Sequence, residues 1–144
     1  MAFQRNRRAL ITEEFSRLAS EKGWDKRSKE YKKKRKEFYA SAVTEDFTAF
    51  WGANETRLSA WRDLCLCIGI KNVPSSIEEC KKALQPIHVN LVDLVDSKRT
   101  GHPPRLFKTE SDLGHYSRQT AKIFPKARAK ANPLLRQFLI HIFS

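Results

Sequence analysis

Glycine is scarce in this chain of 144 residues, and its five copies, at 23, 52, 69, 101 and 114, stand alone. Isolated glycines exclude the Gly-rich loops that cradle nucleotide phosphates on successive backbone N–H groups. No apolar run approaches the roughly 18 residues of a membrane-spanning helix, so no membrane association is expected. The three cysteines, Cys65, Cys67 and Cys80, are too few and too odd in number for a disulfide framework. The opening Met-Ala-Phe-Gln-Arg-Asn-Arg-Arg lacks the apolar stretch of a secretory signal. The expectation is therefore reduced thiols in an intracellular protein. Acidic side chains are missing altogether after Asp112.

What is abundant is positive charge. Lys and Arg number 28 against 16 acids, a formal net charge of +12. The charge is unevenly spread: residues 1–48 hold 13 basic and 8 acidic groups, residues 49–96 hold 5 and 6, and residues 97–144 hold 10 and 2. A basic field attracts nucleic acid or other polyanions but does not dictate a fold. Nine Phe, three Trp and three Tyr supply core material for a chain of ordinary single-domain size.

Apolar residues recur at helical spacing throughout, with no clean strand-like alternation. The first helix is expected from Thr12, as cap, to Lys22, closed by Gly23. Ser28 caps a long second helix whose stripe reads Tyr31, Phe38, Tyr39, Ala42, Val43, Phe47 and Phe50, ending at Gly52. A third runs from Glu55, capped by Asn54, to Ile68, with Trp61 on its core face. Ser75 or Ser76 opens the fourth, each with a glutamate three residues on. Asn90 opens the fifth, and Gly101-His102-Pro103-Pro104 must be a loop. Thr109 or Ser111 opens the sixth, broken at Pro125; Asn132-Pro133 starts a last helix carrying Leu134, Leu135, Phe138, Leu139 and Ile142. That helix either packs inward or makes a symmetric dimer interface. The sum is an all-α protein: a flexible basic arm over 1–11 and one compact domain of six to seven helices over 12–144.

One order of landmarks is Glu14-Phe15-x-Arg17-Leu18, Gly23-Trp24, then Trp61-x-x-Leu64-Cys65. It continues through Ser76-Ile77-x-x-Cys80-Lys81-Lys82-x-Leu84, Val89-Asn90-x-x-Asp93-Leu94-x-Asp96 and Phe124-Pro125. Over residues 12–140 this order resembles a group of small, mostly uncharacterised proteins of filamentous fungi. The resemblance implies a eukaryotic intracellular setting and a helical fold, and it carries over no activity and no functional residue.

The functional candidates are basic. Lys26, Arg27 and Lys29 lead into the run Lys32–Lys36, in which Lys32, Lys33 and Lys36 point outward on a helical wheel. Such a run suits a nuclear import signal or a row of phosphate contacts, against the plainer reading of a solvated helix face. Lys122, Lys126, Arg128 and Lys130 form a second cluster; in a continuous helix Lys122, Lys126 and Lys130 would share a face. Arg5, Arg7 and Arg8 would add contacts from the arm. Helix-turn-helix geometry is disfavoured, because the link from Gly69 to Pro74 is too long and Glu78 and Glu79 open the following helix. Cys65, Cys67, Cys80 and His88 match no zinc spacing. Asp93 and Asp96 are read as a cap partner and as a solvated or Arg99-paired carboxylate rather than an acid–base pair. No Ser or Cys lies near a His–acid pairing in sequence, so no enzyme, metal or cofactor is expected. The expectation is a nuclear, non-enzymatic domain that binds DNA or RNA through phosphates. The rival is a protein-interaction adaptor using the near-neutral central helices.

Overall fold

The computed structural model describes residues 3–143, with side chains to residue 140, so residues 1 and 2 of the expected arm and the Ile142 side chain lie outside the described residues. In chain order run α1 (Ile11–Lys22), α2 (Lys29–Trp51), α3 (Leu58–Ile68), α4 (Ile77–Leu84), α5 (Leu91–Thr100), α6 (Glu110–Thr120) and α7 (Pro133–Phe143). The protein is all-α, as its periodicity predicts. Two short strands, β1 (His88–Val89) and β2 (Leu106–Phe107), flank α5 and pair antiparallel, His88 opposite Phe107 and Val89 opposite Leu106. Two residues are too few to register as alternation, which is why the sequence shows no strand there.

Most helices begin where a side chain can accept an orphan N–H. Ser28 accepts from Tyr31 at 3.0 Å, Ser76 from Glu79 at 3.2 Å, Thr109 from Asp112 at 3.0 Å and Asn132 from Leu135 at 2.9 Å. Of the paired alternatives, Ser76 and Thr109 are thus the caps. Two expected caps are elsewhere. Thr12 does not cap α1; the Ile11 N–H donates to both oxygens of Asp96 in α5, at 3.0 and 3.1 Å. Asn54 closes a separate turn through the Thr56 N–H at 2.9 Å, and α3 starts only at Leu58.

α1 packs on the first half of α2, with the Phe15 ring centroid 5.2 Å from Tyr31 and 5.5 Å from Phe38. α7 turns inward: Leu134, Leu135, Phe138 and Leu139 are buried, and Phe138 lies 6.1 Å from Phe47. Asn132 fixes the junction by donating to Thr48 Oγ1 at 3.0 Å and to the Gly52 carbonyl at 3.1 Å. Trp61 is buried and donates its indole N–H to the Glu55 carbonyl at 2.8 Å. At the other end of α2, Asp63 accepts from the Trp51 indole at 2.6 Å and from Lys98 at 2.7 Å.

An ionic network crosses this apolar core. Asp46 of α2, its side chain 2% exposed, receives Arg5 Nη1 at 2.8 Å and Arg5 Nη2 at 2.5 Å, and it also pairs with Arg99 of α5. Arg99 Nε lies 3.2 Å from Asp96 Oδ1, so Asp96 is neither solvated nor isolated. Arg7 reaches Glu45 at 3.2 Å, the Asn6 N–H donates to Glu14, and Arg17 Nη2 donates to the Gln4 carbonyl at 2.7 Å. Residues 4–7 of the expected arm therefore lie docked against α1 and α2.

Asp46→Ala leaves two guanidinium groups without their carboxylate, and urea unfolding should show a loss of about 3–5 kcal/mol, the usual cost of breaking a buried pair. Burial pushes the Asp96 carboxyl up from its ordinary 3.8 to about 6, against the pull of the Ile11 N–H and Arg99. Between those values the native state holds the proton more tightly than the unfolded chain. Stability should therefore be higher below pH 4 than above pH 6 as far as this group is concerned, falling as pH rises through that window. Comparing thermal melts of wild type and Asp96→Asn across this range should show the asparagine variant with the flatter profile.

Candidate nucleic-acid interface

α2 changes character along its length. From Tyr39 onward it buries Tyr39, Ala40, Ala42, Val43, Asp46, Phe47 and Trp51, whereas before Tyr39 only Tyr31 is buried. Lys32 and Lys36 continue, at spacings of four, the ridge that reads Ala40, Val43 and Phe47 further on. That ridge is covered by the body from Ala40 and bare before it. Lys32, Lys33 and Lys36 are exposed, Lys32 and Lys36 despite lying on the ridge that Val43 and Phe47 bury further on, and they form no ion pair with any described residue. Arg35 folds back over the Tyr31 ring, 5.3 Å from its centroid. Lys26, Arg27 and Lys29 are exposed at the turn into the helix, where the Arg27 N–H donates to Asp25 at 2.9 Å.

The second cluster meets α2 at this transition. Arg128, in the 3₁₀ turn Lys126–Ala129, donates to Ser41 Oγ of α2 at 3.0 Å. Burial raises the Tyr39 hydroxyl above its ordinary value, opposed by the positive charges of Arg35 and Lys122. Residues 122–128 thus border α2 at positions 39–41, about 5–8 Å along the axis from Lys36. Arg128 and Lys130 are exposed on that border, as is Lys126.

The members of the cluster do not share one helical face. α6 ends at Thr120, and Ala121 takes a left-handed conformation with φ 58°, so Lys122 lies in the connector rather than on a helix. Lys122 is also engaged: its Nζ donates to Asp93 Oδ1 at 2.8 Å and to Tyr116 Oη at 2.8 Å, while Tyr116 donates to Asp93 Oδ2 at 2.6 Å. Burial works to lower the Lys122 ammonium, but hydrogen bonds to Asp93 and Tyr116 outweigh it and hold the group above its ordinary 10.5. Burial, then Asp93, raises Tyr116. Asp93 completes the Asn90 cap through its backbone N–H, which donates to Asn90 Oδ1 at 3.2 Å, and its carboxylate also anchors the 121–125 connector. Arg5 and Arg7 are likewise committed, to Asp46 and Glu45, while Arg8 is exposed.

Other cations stand on the α6 side that no sequence run marks. Arg105, Lys108 and Arg118 are exposed there, with Glu110 and Asp112 between the last two in the chain. They line a groove of about 620 Å³ between β2 and α6 that also holds Phe107, His115 and Tyr116. Across α6 a cleft of about 280 Å³ lies against Asn90, Leu113, Ser117, Lys122 and Phe124. The one sequence signal for this side was the excess of 10 basic over 2 acidic groups in residues 97–144.

Cys65 and Cys80 face each other between α3 and α4, with Cys65 Sγ 4.0 Å from the Cys80 carbonyl. Among the described residues no group of three or more His, Cys, Asp and Glu side chains is placed to hold a metal ion, and no described helix is long and apolar enough to cross a membrane. Compared with protein-family models, curated proteins and solved structures, the chain matches none.

Burial pushes the Cys65 thiol up to about 12 and, with Asp63 adding to it, Cys67 up to about 11. Because the thiolate is the reactive form, a disulfide-exchange reagent at pH 8 should label the native thiols slowly and all three rapidly after denaturation. Fast labelling of the native protein would contradict the packing of α3 on α4.

Proposed function

We propose that this protein binds nucleic acid, DNA or RNA, as a non-enzymatic helical domain that contacts phosphates and reads bases little. The contact between Arg128 and Ser41 carries the reading. It sets the basic 3₁₀ turn against α2 one to two turns beyond Lys36, so two clusters far apart in sequence meet the same helix. Lys26, Arg27, Lys29, Arg128 and Lys130 extend the same positive surroundings. Free ammonium groups on a solvent-facing helix release counterions when they meet phosphates, which makes affinity strongly salt-dependent. The run Lys32–Lys36 also suits nuclear import, consistent with a nuclear nucleic acid as ligand. The adaptor alternative is supported by Leu66 of α3, 61% exposed in the near-neutral middle of the chain.

Fluorescence polarisation with labelled duplex DNA, single-stranded DNA and RNA tests the reading. If about six phosphates are contacted, affinity for duplex should fall about 10³-fold between roughly 50 and 200 mM salt. The combined change Lys32→Glu, Lys33→Glu and Lys36→Glu should weaken binding to every sequence alike and reduce the salt slope by about three. Unchanged binding by this variant removes α2 from the interface. Absence of binding at the lower salt turns attention to α3 and a protein partner.

A further inference from the structure

The groove between β2 and α6 joins aromatic faces to cations in a way that the α2 surface does not. Phe107 and Tyr116 lie 4.9 Å apart between centroids with their planes inclined at 39°, both half-buried. The Arg105 guanidinium sits 4.7 Å from the Phe107 centroid and 5.7 Å from that of Tyr116. Lys108, His115 and Arg118 stand around the same groove, against a single acid, Asp112. Its volume of about 620 Å³ is of the size that takes a small organic group, for which pockets run about 300–1,000 Å³. Lys122 lies 5.2 Å from the Tyr116 centroid, so the groove connects through one ring to the basic connector and thence to α2.

We infer that this groove is a stacking site for single-stranded nucleic acid, in which an unpaired base seats on Phe107 and Arg105 while Lys108 and Arg118 meet the flanking phosphates. The inference rests on the nucleic-acid reading above and narrows it. Within a duplex the base faces are stacked on one another and cannot enter a groove. A single strand exposes them, and aromatic rings and guanidinium planes are the groups on which such bases stack. Stacking is tolerant of base identity because every base has a π-face, in keeping with little base reading. Arg105 and Phe107 hold each other in place before any ligand arrives, which lowers the ordering cost of binding.

Three labelled probes separate the possibilities: an oligothymidylate of about 12 nucleotides, the same length of strand made abasic, and a hairpin duplex. Phe107→Leu keeps an apolar side chain beside Tyr116 and removes the ring. It should weaken the oligothymidylate about tenfold, the scale of losing one stacked base, and leave the abasic strand and the duplex unchanged. Arg105→Ala, at an exposed position, should act in the same direction. It serves as an independent check if thermal melts show that the Phe107 variant folds less well. Equal affinities of both variants and wild type for the oligothymidylate, with salt-dependent duplex binding intact, overturn the groove and leave the phosphate-binding surface standing. Failure of the wild type to bind any of the three overturns both.

Discussion

Asp46 is almost entirely out of water, and a bare carboxylate so placed would cost several kcal/mol. Arg5 from the N-terminal segment and Arg99 from α5 close on it from two sides, and Arg99 passes the connection on to Asp96. Asp96 in turn receives the first N–H of α1. Three regions distant in sequence, residues 5–11, α2 and α5, are therefore registered against one another by a single polar chain through the core. Each member satisfies a group that would otherwise be orphaned, so none can be removed without exposing the next. The placement of α1 against α2, and with it the extent to which the first half of α2 stands clear of the body, follows from this arrangement.

The same network raises the ratio of exterior cations to acids without changing the net charge. Glu14, Asp46 and Asp96 are buried, and Asp63 and Asp93 are half-buried. Their partners are Arg17, Arg5, Arg99, Lys98 and Lys122. Each internal or half-internal acid thus takes a cation out of play and is itself withdrawn from the surface. What remains outside on α2, the 3₁₀ turn and the rim of α6 is mostly positive, offset by exposed Glu30 and Glu37 on α2 and by Glu110 and Asp112 on α6. The net positive surface field follows from the excess of Lys and Arg in the chain, and the pairing decides where that excess stands.

Local chemistry was readable at most helix starts, where the partner lay within one turn, Asn54 being the exception. Ser28, Asn90 and Asn132 cap the helices that their neighbours announce. Reading failed where the partner came from far along the chain. Thr12 looked like a cap because the true acceptor, Asp96, lies 85 residues away from Ile11. Arg5 and Lys122 looked free because Asp46 and Asp93 reach them only in the fold. The groove residues Arg105, Phe107 and Arg118 form no run and no period, and only the short β1–β2 ladder and α6 bring them to one place. Charge counting by thirds of the chain found their neighbourhood but not their geometry.

The exposed start of α2 carries one more implication. Its lysines sit at the positive end of the helix dipole and repel one another across neighbouring turns, so each costs the helix a few tenths of a kcal/mol. Tyr31 against Phe15, with Arg35 laid over its ring, is what offsets this locally. That segment is accordingly the part of the long helix nearest to fraying. A polyanion resting on it neutralises the repulsion, and by thermodynamic reciprocity whatever tightens the helix also tightens the grip. Amide exchange in these first turns and occupancy of the surface are then two readings of a single equilibrium.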